Sequence, residues 1–177
     1  MFDWYRQWRE KRIIRDNPID ERDWQQVLKQ LPVLQGLTDD ELTRLRRLAI
    51  LFIHEKDFVG IQGQVLTGNM ALLIALQACL PILNLGIEWY HGWQSILVYP
   101  AAFKAQRTQL DASGVAHEVE HHLAGEAWNQ AGVVLAWDET AKAGVIDGHN
   151  LVIHEFVHKL DMLNGAADGF PPLRAGM

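Results

Sequence analysis

The stretch from Met70 to Ile87 is the most apolar part of the chain and is close to the length that crosses a bilayer, so it decides first what this sequence can become. Gln77, Pro81, Asn84 and Gly86 interrupt it, no Lys or Arg flanks either end closely, and it has no counterpart elsewhere. It is therefore expected to be a core helix surrounded on all sides rather than a membrane span. A chain of 177 residues, 49% of them hydrophobic, can bury one good core around such an element but not two.

Upstream of that stretch the pattern is helical. Thr38-Asp39-Asp40-Glu41 spells a capping box, and Leu42, Leu45, Leu48, Ala49 and Phe52 follow at helical spacing, which predicts a helix from about Asp39 to Glu55. Ile19 to Leu34 reads as another, with Trp24, Val27, Leu28 and Leu31 on one face and Pro32 near its end. The first sixteen residues mix Trp4, Tyr5 and Trp8 with Arg6, Arg9, Lys11, Arg12 and Arg15, and lack the apolar centre and cleavage site of an export signal. They are expected to form an amphipathic helix with Trp4 and Trp8, one turn apart, against the body. A membrane-surface anchor is the alternative.

Beyond Gly92 the period changes. Ser95 to Tyr99, Val115 to Leu123 and Gly132 to Trp137 read as strands separated by Pro100, Gly114 and Gly125. With helices first, then strands, then one more helix, the fold class is α+β. The sheet is expected to be mixed or antiparallel, because no helix is inserted between most of its strands.

That last helix should begin near Asp147 to Asn150 and end at Asn164-Gly165. It contains Leu151-Val152-Ile153-His154-Glu155-Phe156-Val157-His158, which places two imidazoles four residues apart on one helix face, where they can converge on one ion. Glu155, next to the first imidazole, is then placed to address a water at the metal and take its proton as it attacks a carbonyl. The pattern occurs twice: His117-Glu118-Val119-Glu120-His121 also fits, but in a strand its histidines would stand roughly 13 Å apart and could not share a metal. A catalytic zinc takes three protein ligands and leaves a place for water, although two imidazoles would also accept other first-row metals. Past His158 the acidic residues are Asp161 and Asp168. Asp161 either holds a histidine ring from the outer shell or is an exposed helix carboxylate.

The charge of −6 argues against a nucleic-acid binder, which needs surplus Lys and Arg to displace counterions. Cys79 alone allows no internal disulfide and, lying in an apolar run, reads as a small buried hydrophobe in a protein of a reducing compartment.

Leu80-Pro81-Ile82-Leu83-Asn84-Leu85-Gly86-Ile87-Glu88-Trp89, Ile96-Leu97-Val98-Tyr99-Pro100, Val133-Val134-Leu135-Ala136-Trp137 and, most specifically, Asn150 through Asp161 with Asn164-Gly165 give the chain a resemblance to the Mlc titration factor A family of bacterial zinc peptidases, running from about Trp24 to the last residue. The resemblance implies a cytoplasmic, zincin-type enzyme related to gluzincins, with aminopeptidase-type activity on small peptide substrates and binding to the glucose-responsive repressor Mlc; the charge and the reading of the apolar and N-terminal segments add the expectation of no direct contact with nucleic acid or membrane. By motif match it makes His154 and His158 the zinc ligands and Glu155 the general base. A glutamate well downstream completes the metal site in that family, so the chain is expected to comprise an N-terminal amphipathic segment, 1–18, and a peptidase domain, 19–177, incomplete at its C-terminal end. The alternative is a catalytically incomplete binding protein that sequesters a repressor. Gly132 to Trp137 is the candidate for a substrate-pairing edge strand, an ordinary core strand being the alternative.

Overall fold

The computed structural model describes residues 2–101, 132–142, 144–145, 148–165, 169 and 172. Helices and a small sheet share one core, as the α+β expectation has it. The strand expected at Val115 to Leu123 lies outside the described residues, as does the second histidine pair within it.

Helix α1, Phe2–Asp16, ends where the Asn17 side chain donates to the Ile13 carbonyl. It leans on the body through buried Ile13, while Trp4 and Trp8 are 73% and 46% exposed, which overturns their expected packing against the core. The physical reason is the helical period: the two indoles share a stripe opposite the one that carries Ile13.

Helix α2, Glu21–Gln30, buries Trp24 and Val27. It is shorter than expected because Pro32 has no N–H to give and restricts Leu31, so the chain turns into a short 3-10 segment, Pro32–Leu34. Helix α3, Asp39–Glu55, has its expected bounds, and both halves of its capping box are made: Glu41 N–H donates to the Thr38 hydroxyl at 3.3 Å, and Thr38 N–H to the Glu41 carboxylate at 2.8 Å.

The described strands are β1, Asp57–Gly60, β2, Ser95–Tyr99, and β3, Val133–Ala136, in the order β1-β2-β3. Both pairings are parallel, with Phe58 opposite Ile96 and Leu97 opposite Val134, so the expectation of a mixed or antiparallel sheet is corrected for these strands. Strand β1 escapes a sequence reading because it is four residues long and follows α3 after a single residue. Once it is in place, α4 lies between β1 and β2 as a crossover helix, and parallel pairing follows.

Helix α4, Gly68–Cys79, is capped by the Thr67 side chain and buries every residue from Leu72 to Cys79. The apolar stretch is thus a core helix, but only as far as Cys79. Pro81 follows, the chain turns at Gly86 with φ +106°, and a 3-10 segment, Ile87–Tyr90, brings the Tyr90 hydroxyl back to donate to the Ala78 carbonyl at 2.7 Å. Among the described residues no helix is long and apolar enough to cross a membrane. Cys79 is fully buried, and burial pushes its thiol far above the ordinary range, as suits an inert core residue. A short helix α5, Trp137–Thr140, follows β3, and helix α6, Leu151–Asp161, closes the described chain apart from a 3-10 turn, Met162–Asn164.

Candidate metal centre

Helix α6 is held at its start and along its inner face, and these two attachments set where its imidazoles stand. At the start, the Asn150 side chain accepts from Ile153 N–H at 2.9 Å and donates through Nδ2 to Gln77 Oε1 at 2.8 Å. Gln77 is fully buried in α4 and donates its own amide to the Leu73 carbonyl. A polar residue inside the most apolar stretch therefore has a specific task, which is to fix the cap of α6. Sequence reasoning met Gln77 only as an interruption; its partner on a distant helix carries no local signal.

Along the inner face Val152, Phe156 and Leu160 are buried at the i, i+4, i+8 spacing of a helix stripe. Phe156 enters a cluster of aromatic rings, 5.4 Å from Tyr90, 5.5 Å from Phe52 and 5.8 Å from Trp93 between centroids. Beneath Trp93 lies Lys56, buried, its ammonium 3.8 Å from the ring centroid and donating to the Tyr90 and Trp93 carbonyls.

His154 and His158 therefore stand on the outer face, exposed, with Glu155 half-buried between the two faces. Their Nε2 atoms are 3.0 Å apart and their rings are nearly perpendicular, at 86°. Two imidazoles on a tetrahedral zinc, each at about 2.0–2.1 Å, have nitrogens about 3.3 Å apart, so an opening of a few tenths of an ångström would seat the ion. Without an ion, one ring can donate its Nε2 proton to the other. To hold an ion, both rings would present their Nε2 lone pairs to it from the exposed face of the helix. Among the described residues no three His, Cys, Asp or Glu side chains are gathered closely enough to hold a metal, so these residues supply two positions.

Asp161 matches neither of its two expected roles. It is 5% exposed, and Oδ2 accepts from Gly169 N–H at 2.8 Å, so it is tied to the backbone at Gly169. Its other oxygen is buried with no hydrogen-bond partner among the described residues. Asp168 lies outside the described residues. Lys159, buried on the inner side and 5.7 Å from the Trp93 ring centroid, has its pKa lowered by burial and raised in part by the Glu155 carboxylate.

A cleft of about 510 Å³ runs from α5 to the start of α6, lined by Glu139, His149, Asn150, Leu151, Ile153 and His154 among others. Strand β3 lies at the edge of the described sheet, paired on one side with β2. His154 thus stands at the rim of this cleft, and its imidazole and that of His158 are spaced as two ligands of one divalent metal would be.

Residues 5–177 match the family model described as glucose-regulated metallo-peptidase M90. Among curated proteins, the Mlc titration factor A of Escherichia fergusonii is 41% identical over 162 residues, 90% of this chain and 59% of that protein. The Mlc titration factor A of Salmonella typhi is 42% identical over 154 residues, 85% and 58% respectively. That of Klebsiella pneumoniae is 41% identical over 157 residues, 87% and 59%. The chain thus spans about three fifths of the length of these curated relatives.

Proposed function

Since the chain belongs to the M90 family of glucose-regulated metallo-peptidases, we propose that it carries the metal-binding half of a zinc-dependent peptidase, with aminopeptidase-type action on small peptides in the cytoplasm. The observation that carries this reading is the convergence of the His154 and His158 Nε2 atoms to 3.0 Å on the helix that also bears Glu155. In this reading His154 and His158 are the zinc ligands and Glu155 the general base, and a third ligand comes from outside the described residues. Zinc, when bound there, supplies Lewis acidity toward a scissile carbonyl and toward water.

What the chain's own residues do follows from their placement. Glu155 takes a proton from the water as its oxygen forms the new C–O bond to the carbonyl carbon, and then passes that proton to the amide nitrogen, so that the C–N bond breaks and the amine departs. The edge of β3 that has no partner among the described residues is suited to hold the peptide backbone extended, and the cleft beside His154 to receive its side chain. The test is the zinc content per chain after dialysis, compared with His154→Ala, together with peptide hydrolysis by the protein and by Glu155→Gln. Near-stoichiometric zinc that the histidine variant loses is the expected outcome. Equal zinc in both proteins, or unchanged hydrolysis by Glu155→Gln, would refute the assignment.

A second reading is favoured by the name that the relatives share. In it the chain binds the repressor Mlc, and hydrolysis plays no part in that contact. Retention of Mlc that survives both chelation and Glu155→Gln supports this association as a separate activity; retention that disappears with the metal counts against it.

A further inference from the structure

The outward face of α1 combines apolar rings and cations in a way that core packing does not explain. Trp4, Trp8, Lys11 and Arg15 follow one another at i, i+4, i+7 and i+11, which is one stripe of a helix, and Tyr5 and Arg12 flank it. Trp4, Tyr5 and Trp8 are 73%, 58% and 46% exposed, while Ile13 on the opposite side is buried. The face is ordered: the Tyr5 and Trp8 rings stack at 6.1 Å, and the Arg12 guanidinium lies 5.7 Å from the Trp8 ring centroid.

Charge divides the helix in the same way. Arg6 and Arg9 turn to the body, where they meet Glu88 at 4.0 Å and Glu55 at 3.6 Å and hold the helix down. On the outward side Arg12 and Arg15 share one carboxylate, Asp16, at 3.6 and 2.8 Å. Helix α1 has five basic and three acidic side chains in a chain whose formal charge is −6, so it is a basic element on an acidic protein.

We propose that the outward face of α1 is a peripheral docking surface for an anionic phospholipid bilayer. Indole and phenol rings settle at the level of the headgroups, where an apolar body and a polar edge are both accommodated, and guanidinium groups beside them meet lipid phosphates. A helix of fifteen residues lying in the plane would present about 22 Å of such surface. Its convex ridge suits a plane better than it suits a nucleic-acid strand, which is tracked along a basic groove. The acidic remainder of the protein turns away from an anionic surface, so attachment is oriented, reversible and sensitive to salt. The expected packing of Trp4 and Trp8 against the body was what weighed against a membrane contact, and the structure removes it.

The experiment is co-sedimentation of the intact chain with vesicles of phosphatidylglycerol and phosphatidylcholine, against vesicles of phosphatidylcholine alone. Binding to the anionic vesicles is expected to be about tenfold the stronger and to fall several-fold between about 50 and 300 mM salt. Trp4→Ser/Trp8→Ser and Arg12→Gln/Arg15→Gln should each weaken it about tenfold while leaving the thermal midpoint unchanged, since these side chains are exposed. The proposal is overturned if the wild-type chain stays in the supernatant, or if both variants bind as it does. It is also overturned if the aromatic variant instead abolishes self-association of the chain, or if a single-stranded RNA oligomer is bound in place of the vesicles.

Discussion

The ring of Phe156 meets that of Tyr90 edge-on, 5.4 Å between centroids, directly beneath the face of α6 that carries His154 and His158. The two imidazoles are thus positioned from below by an apolar side chain two residues from each. Truncating Phe156 to alanine leaves a cavity against Phe52, Tyr90 and Trp93 and is expected to cost about 3–5 kcal/mol by urea unfolding in the presence of chelator. Because the same cavity lets α6 shift, zinc retention should fall as well, although no ligand has been touched. A variant that loses stability but keeps its zinc affinity would show that the imidazoles are positioned by something else.

The bond from Asn150 to Gln77 makes a second, separable prediction. Asn150→Ala removes a helix cap, about 1 kcal/mol, and also takes a partner from a fully buried amide, which adds about 1–3 kcal/mol. If the two side chains act together, Gln77→Leu in the Asn150→Ala background should cost less than Gln77→Leu alone, by about 0.5–3 kcal/mol. A double-mutant cycle by chemical denaturation measures that difference. Strict additivity would mean that the cap and the buried amide serve α6 and α4 independently.

Glu155→Gln keeps the shape of a half-buried side chain on α6, so stability should change by no more than about 0.5 kcal/mol and zinc should remain. Hydrolysis by a zinc-loaded, active form is expected to fall at least about a hundredfold, since a glutamine cannot take the proton. His154→Ala should do the reverse in order: zinc is lost first, and activity with it. Comparing metal content with turnover in both variants separates a base from a ligand.

Where the sequence was informative, a local interaction decided the structure. The capping box fixes the start of α3, and the apolar spacing of Val152, Phe156 and Leu160 obliges α6 to face its histidines outward. Where it was not, the deciding contact was distant. Strand β1 exists because β2 offers a ladder to four residues with little pattern of their own. Trp4 and Trp8 look like core residues in isolation, yet Ile13 and the Arg9–Glu55 pair choose which side of α1 meets the body. Asp161 is legible as a helix carboxylate, but its partner is the backbone of Gly169, which no side-chain pattern announces.

Lys56 is expected to give the protein a pH dependence whose sign follows from its burial. Its ammonium is buried against Trp93 and two carbonyls, and burial lowers its pKa from 10.5 to about 8, with the Glu55 carboxylate opposing and Lys159 assisting. Between pH 8 and 10.5 the unfolded chain therefore binds more protons at this group than the folded one, and stability rises with pH. Below pH 8 both forms are protonated and the penalty is fully present. From pH 7.5 to 9.5 the gain should be about 2 kcal/mol, and Lys56→Met should lack it while sharing every other titration. Urea unfolding of the two proteins at both pH values isolates the effect as a difference of differences. Equal slopes would mean that Lys56 keeps an ordinary proton affinity, its ammonium being fully compensated by the Tyr90 and Trp93 carbonyls and the Trp93 ring.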